Sequence, residues 1–431
     1  MNPYLIGFRC STCGAMHAPA EVTYTCPHDG GNLDAVYDYA RMRQGLNPRD
    51  VASSADRSIW HYAPLLPTTL PKSSFNSQTP ISRLGWSPLY RAPALESALN
   101  IRRIWLKDDS RLPSSSFKDR ASAMVIAQAM ALGMKTICVA STGNAAAALA
   151  CLCAGSDLRA VIFVPEQTPE GKLAGILIHG ATVFMVRGSY NDAVEMAAAA
   201  CAKFGWYNRS TGVNPYTREG KKTAGFEIAE QLAQFGAEGQ KGERAESEIA
   251  PAPFRAPTTV VVPVGDGNIT SGVHKGFHDL HQLGWIDAMP RFIGVTATLA
   301  PSLYRAWQAG AETFENIPST TTASGISVDW PCDGVIALRA IRETAGGMVE
   351  ATDEEMLDAM KVLATQAGVF VESASAAAYA GLVHACRNGM IHAGDEVVLQ
   401  LTGSGLKDAR AALRAAGKPI VVSSLDEVTC N

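Results

Sequence analysis

One segment constrains the fold more than any other: Thr258-Thr259-Val260-Val261-Val262-Pro263-Val264-Gly265-Asp266-Gly267-Asn268-Ile269-Thr270. Its first half is a short uninterrupted apolar run, the pattern of a strand buried on both faces. Its second half is a glycine-rich turn opening into a helix predicted from Ser271 to Leu283, so backbone N–H groups and the positive helix end face an anion. The turn reads as a phosphate cradle built by Gly265, Asp266, Gly267, Asn268 and Ile269. As a dinucleotide fingerprint it fails, because Gly265-x-Gly267 is followed by Gly272 rather than by a glycine three residues on, and no strand-ending acid follows about twenty residues later.

The same strand-then-helix alternation runs through the chain. Apolar runs predict strands at 104–106, 136–140, 160–164, 182–186, 291–295 and 396–401, with helices near 118–132, 144–154, 169–179 and 190–203. That order implies a parallel sheet covered on both faces. Thr352-Asp353-Glu354-Glu355 is a capping box opening a helix toward Gln366. The polar, proline-containing stretch 41–78 is expected to wrap the outside of the main body. The Gly, Glu and Lys/Arg-rich run beginning at Gly236, followed by the Pro-rich 250–257, is expected to be a flexible loop over 236–257. No internal repeat is evident.

A chain of 431 residues is long enough for two or more domains, each with a sizeable core. A net charge of -4 gives no basic footprint, which argues against nucleic acid and anionic membrane partners. No apolar run reaches the roughly 18 residues of a membrane helix, and the first residues lack a basic n-region with a long apolar core, so a cytoplasmic protein is expected. Cys138, Cys151, Cys153, Cys201 and Cys386 fall within predicted strands and helices and read as small core residues. The N-terminal thiols differ. Cys10-Ser11-Thr12-Cys13 followed by Cys26-Pro27-His28-Asp29-Gly30-Gly31 has the knuckle spacing of a zinc ribbon with its fourth cysteine replaced by Asp29. Zinc accepts carboxylate and imidazole, so a site of Cys10, Cys13 and Cys26 with Asp29 or His28 is one reading; a ribbon that has lost its metal and kept the fold is the other.

The run Ser115-Ser116-Phe117-Lys118-Asp119-Arg120 puts one lysine between a serine run and an Ala-rich helix, where it can serve as an amine nucleophile. Leu106-Lys107-Asp108-Asp109 precedes it and Ser141-Thr142-Gly143-Asn144 follows. With the 262–270 turn, Val371-Glu372-Ser373-Ala374-Ser375-Ala376-Ala377 and Leu401-Thr402-Gly403-Ser404-Gly405-Leu406-Lys407-Asp408, these segments in this order resemble threonine synthase, one of the pyridoxal phosphate enzymes of the tryptophan synthase β fold. The resemblance spans most of the chain. It implies two-domain, doubly wound α/β sheets behind the ribbon-like segment of 1–35: a large catalytic domain of 36–117 and 226–431, and a small mobile domain of 118–225. It assigns Lys118 as the cofactor-bearing lysine and general base, Asn144 to the ring hydroxyl and Thr402 to the pyridine nitrogen. An uncharged Thr402 leaves that nitrogen largely unprotonated and favours elimination and replacement over transamination. Ser141, Thr142 and Gly143 offer donors to the substrate carboxylate. The expected assembly is a homodimer.

The chain departs from the similar enzymes at four places, and the last two bear on the substrate. Ser373 stands where the similar enzymes carry proline, Ser404 where they carry histidine, and Leu112-Pro113-Ser114-Ser115-Ser116 where they carry Asn-Pro-Thr-Gly-Ser. Their Asn-Ser-x-Asn-Pro-x-Arg, which clamps a substrate phosphate, corresponds to Thr211-Gly212-Val213-Asn214-Pro215-Tyr216-Thr217 here, and the arginine has moved to Arg218. One residue on a helix turns a side chain by about 100°. Arg218, Lys221 and Lys222 are the cations nearest that position. The first reading is conversion of O-phosphohomoserine and water to threonine and phosphate. Chemistry at Cβ of serine, threonine or an O-activated serine is the second, and a catalytically silent ligand-binding homologue the third.

Overall fold

The computed structural model describes residues 1–70, 79–240, 252–424 and 428. Among them the strands, in chain order, are β1 (Leu5–Cys10), β2 (Met16–His17), β3 (Leu33–Tyr37), β4 (Leu89–Arg91), β5 (Arg103–Asp108), β6 (Thr136–Ala140), β7 (Arg159–Pro165), β8 (Thr182–Val186), β9 (Tyr207–Asn208), β10 (Thr259–Pro263), β11 (Arg291–Ala297), β12 (Gly347–Ala351) and β13 (Glu396–Leu401). They form three sheets. A six-stranded sheet has the order β12-β11-β10-β13-β5-β4, parallel except for β4, which lies antiparallel on β5 at the edge. A four-stranded parallel sheet has the order β8-β7-β6-β9, and β2-β1-β3 form a small antiparallel sheet at the N-terminus.

The apolar runs behave as strands covered on both faces: Val260, Val261, Val262, Val397, Val398 and Leu399 are fully buried. Parallel neighbours require crossovers, and the predicted helices provide them as Lys118–Ala131, Asn144–Cys153, Glu170–Leu177, Tyr190–Phe204, Asn268–Gln282 and Asp353–Ala367. The lysine helix, Lys118–Ala131, is buried almost all round from Asp119 to Ala129, which its run of alanines permits. Its first turn is anchored by ions that water does not reach. The Arg120 guanidinium meets Asp109 at 2.7 Å and Glu227 at 2.6 Å, and Lys107 meets Glu227 at 2.6 Å, all four side chains being fully buried.

Two expectations about the chain's outer segments change. Within 41–78, Ile59, Tyr62, Leu65 and Leu66 are buried, and Tyr62 and His61 reach Glu230, so this stretch enters the body instead of only wrapping it; 71–78 lies outside the described residues. Of the loop expected over 236–257, residues 241–251 lie outside the described residues. Before them the helix Thr223–Gln240 continues through Gly236; after them Phe254 is buried and stacked on Trp285, and Arg255 pairs with Glu396. An aromatic ring that finds a pocket overrides the surrounding proline-rich composition. Cys386 is only half-buried, whereas the other four predicted core cysteines are buried. No helix among the described residues is long and apolar enough to cross a membrane.

Candidate active site

Lys118 is the first residue of its helix, and a short antiparallel bridge holds the chain before it against the loop after β13. Phe117 N–H donates to Thr402 O at 2.9 Å, Ser404 N–H donates to Ser115 O at 3.1 Å, and Ser116 bridges Gly403. The Asp119 carboxylate accepts the Ser114 N–H at 2.7 Å and the Ser114 hydroxyl. Ser115 adopts φ +59, the left-handed conformation, at the position where the similar enzymes have glycine. Thr402 is buried beside this seam, its N–H donating to Ser375 Oγ at 2.8 Å.

The Lys118 ammonium lies 3.7 Å from Asp266 Oδ2 in the turn after β10. Burial works against the Asp266 carboxylate, but the cations of Lys118 and Lys221 and the Asn268 N–H hold it down at about 2. The turn itself matches the sequence reading. Gly267 has φ +86, and a Cβ there would sit 2.8 Å from Asp333 O, so no other residue fits without displacement. Asp333 supports the turn from below: its N–H donates to Asp266 O at 2.8 Å. Its carboxylate accepts from Asn268 Nδ2 (2.5 Å), Ser271 Oγ (2.9 Å), Arg218 (2.7 Å) and Asn32 Nδ2 (2.7 Å). Around the start of the helix Asn268–Gln282 three buried polar atoms have no protein partner: Asn268 Oδ1, Thr270 Oγ1 and the Lys221 ammonium.

From the four-stranded sheet, the turn after β6 brings in Ser141, Thr142, Gly143 and Asn144, with Asn144 starting the next helix. Ser141 Oγ accepts the Gly143 N–H at 3.2 Å, and all four residues are half-buried. Asn144 is paired across the seam between the sheets, donating from Nδ2 to Glu372 Oε1 at 2.9 Å and accepting from Lys407 Nζ at 3.0 Å.

The three candidate phosphate cations separate cleanly. Arg218 is spent on Asp333 (2.7 Å) and Asp34 (2.9 Å), and Lys222 on Glu219 (2.7 Å) and Asp279 (2.8 Å). Lys221 is fully buried with no hydrogen-bond partner among the described residues; burial, then the charge of Lys118, pushes its ammonium well below the ordinary lysine range. At the N-terminus, ligand atoms of Cys10, Cys13, Cys26 and Asp29 lie within 4.8 Å of one another, as do those of His17, Cys26 and His28. The site also uses residues that sequence reading did not assign. Glu372 and Lys407 lie inside the motifs of 371–377 and 401–408, where nothing local marks them as partners of Asn144. Asp333 and Asn32 carry no local signal, since their importance comes only from contacts 62–301 residues away in sequence.

An amine, a glycine cradle with unpartnered donors and a side-chain amide thus meet at one seam. This set fits pyridoxal phosphate: the cradle suits its phosphate and the amine its aldehyde. The pyridoxal-phosphate dependent enzyme family model matches residues 82–403, and the chain belongs to that family. Within it, the chain is 35% identical to the threonine synthase of Methanosarcina acetivorans over 421 residues, covering 96% of each chain. It is 33% identical to that of Methanocaldococcus jannaschii over 420 residues, again covering 96% of each. Among solved structures, diaminopropionate ammonia lyase from Escherichia coli superposes with TM-score 0.63 at 18% identity, covering 81% of this chain and 94% of that one. Maize serine racemase gives 0.61 at 17%, covering 77% and 92%. These likenesses show the shared fold.

Proposed function

We propose that the chain converts O-phosphohomoserine and water to threonine and phosphate. The relatives matched over 96% of the chain support this, and the observation that carries it is the Lys118 ammonium beside the 265–269 cradle with a second amine, Lys221, buried nearby without a hydrogen-bond partner among the described residues, where an arriving phosphate would favour its protonated form. When bound, the pyridoxal ring serves as the electron sink for carbons next to the substrate amine. Lys118 holds the cofactor and moves protons among Cα, Cβ and Cγ of the substrate. Phosphate leaves Cγ, which gains a proton, and the hydroxyl of water ends on Cβ. Gly265, Asp266, Gly267, Asn268 and Ile269 hold the cofactor phosphate, Asn144 the ring hydroxyl and Thr402 the ring nitrogen. Ser141, Thr142 and Gly143 orient the substrate carboxylate through the start of their helix.

For the substrate phosphate the reading favours Lys221 over Arg218, whose guanidinium is already consumed by two carboxylates. A desolvated charge-assisted contact contributes about 1.5–3 kcal/mol, roughly ten- to a hundredfold in KM. The test is phosphate release and product analysis with O-phosphohomoserine, O-phosphoserine, serine and threonine. Lys221→Met should raise KM for O-phosphohomoserine by that factor and barely affect a phosphate-free substrate, while Lys118→Ala abolishes turnover. A second reading, elimination or replacement at Cβ, is favoured by Thr217 standing where the similar enzymes clamp phosphate. It takes over if the parent enzyme releases no phosphate from O-phosphohomoserine. The N-terminal cluster supports a structural zinc held by Cys10, Cys13, Cys26 and Asp29, because three thiols and a carboxylate at this spacing suit tetrahedral zinc.

A further inference from the structure

Asn144 is held at both ends by ions from the opposite side of the seam. An ammonium can only donate and an ionised carboxylate can only accept, so Lys407 at 3.0 Å from Oδ1 and Glu372 at 2.9 Å from Nδ2 leave the amide one orientation. Both ions are themselves placed by the backbone. The Glu372 N–H donates to Gly403 O at 3.0 Å, and a Cβ at Gly403 would lie 2.4 Å from Glu372 Oε1, so only glycine lets the carboxylate reach beneath Asn144. Lys407 sits on the short 3-10 turn Gly405–Asp408, capped by Ser404 Oγ, which accepts the Leu406 N–H. Ser373 ties the two segments together by donating its hydroxyl to Asp408 Oδ2 at 2.8 Å. Proline, the residue of the similar enzymes at this position, has no such donor.

We propose that Glu372 and Lys407 are positioning residues that fix the Asn144 amide with its NH2 toward the cofactor's ring oxygen and balance the charge that oxygen feels. The proposal rests on the reading of Asn144 above. The charged groups around the pair are few. Lys407 faces Glu372, Asp119 and the Cys151 thiol, and Glu372 faces Lys407, Asp408 and Lys118. Burial pushes the Glu372 carboxyl up and the Lys407 amine down, so each ion depends on the other and on Asn144. Without Lys407, the carboxylate of Glu372 repels a negative ring oxygen. Without the Glu372 charge, the ammonium attracts it.

The experiment is a pH titration of the visible absorption of the bound cofactor in the full-length wild type and in Lys407→Met, Lys407→Arg and Glu372→Gln. A charge lost within a few ångströms moves a neighbouring pKa by about one unit or more. The titration midpoint should therefore rise by about that much in Lys407→Met, fall in Glu372→Gln and stay near wild type in Lys407→Arg. If Lys407→Met does not fold, Lys407→Gln, which keeps a donor to Asn144 but no charge, carries the same expectation. Shifts in the same direction, or unmoved midpoints with only weaker cofactor affinity, overturn the proposal and leave a merely structural role. A wild type that develops no lysine-bound band in these spectra instead overturns the underlying cofactor reading.

Discussion

Arg120→Met tests whether the ions behind the lysine helix hold it in place. The guanidinium donates to Glu227 Oε1 (2.6 Å) and Oε2 (2.8 Å), Asp109 Oδ1 (2.7 Å), Thr223 Oγ1 (2.9 Å) and Ser87 Oγ (3.1 Å). Arg120, Glu227 and Asp109 are fully buried, so solvent screening does not weaken the interaction. Methionine fills much of the volume but leaves two buried carboxylates to share the charge of Lys107, with only the neutral donors Gln400 Nε2 and Ser87 N–H beside it among the described residues, and stranding a buried charge costs about 3–5 kcal/mol. The same ions set an acid limit. Burial raises the Glu227 carboxyl, but Arg120 and then Lys107 outweigh it and lower it from 4.5 to about 2. A depressed carboxylate stabilises the fold above its unfolded value, and the contribution is lost as pH falls from about 4.5 to about 2. At 1.36 kcal/mol per unit this is about 3 kcal/mol for the wild type. In Arg120→Met the folded Glu227 pKa rises towards the unfolded value, so less of this stability exists at neutral pH and the acid unfolding midpoint of the less stable variant moves up. Urea unfolding followed by circular dichroism at neutral pH, with an acid titration, measures both effects. A variant within about 1 kcal/mol of wild type, or an unchanged acid midpoint, would refute the reasoning.

Two further outcomes are expected. Ser115→Gly should stabilise the chain by up to about 1 kcal/mol, because it relieves a left-handed backbone cost of about 1–2 kcal/mol at φ +59 while freeing the unfolded chain; a lower urea midpoint than wild type speaks against this. Cadmium titration monitored by thiolate absorption should saturate at one ion per chain and fail to do so in a Cys13→Ser, Cys26→Ser double variant; the same stoichiometry in both would move the site elsewhere.

The segments that sequence makes legible are those whose meaning is local. A strand, a glycine turn and a helix start follow from residues 258–270 because backbone conformation depends on near neighbours, and the structure has Gly267 at φ +86 in that turn. Lys118 is legible for the same reason, as the first residue of a helix after a serine run. Charge availability is a different kind of property. Arg218, Lys221 and Lys222 look equivalent along the chain, yet Asp34 and Asp333 consume the first and Glu219 and Asp279 the third, leaving Lys221 unpaired. Likewise Asn144 was placed by its motif, but its two ionic partners lie 228 and 263 residues away in sequence. Only the packing of one sheet against another brings such charges together. In a desolvated interior a cation interacts with whichever anion lies within a few ångströms, and that neighbour is chosen by topology rather than by position along the chain.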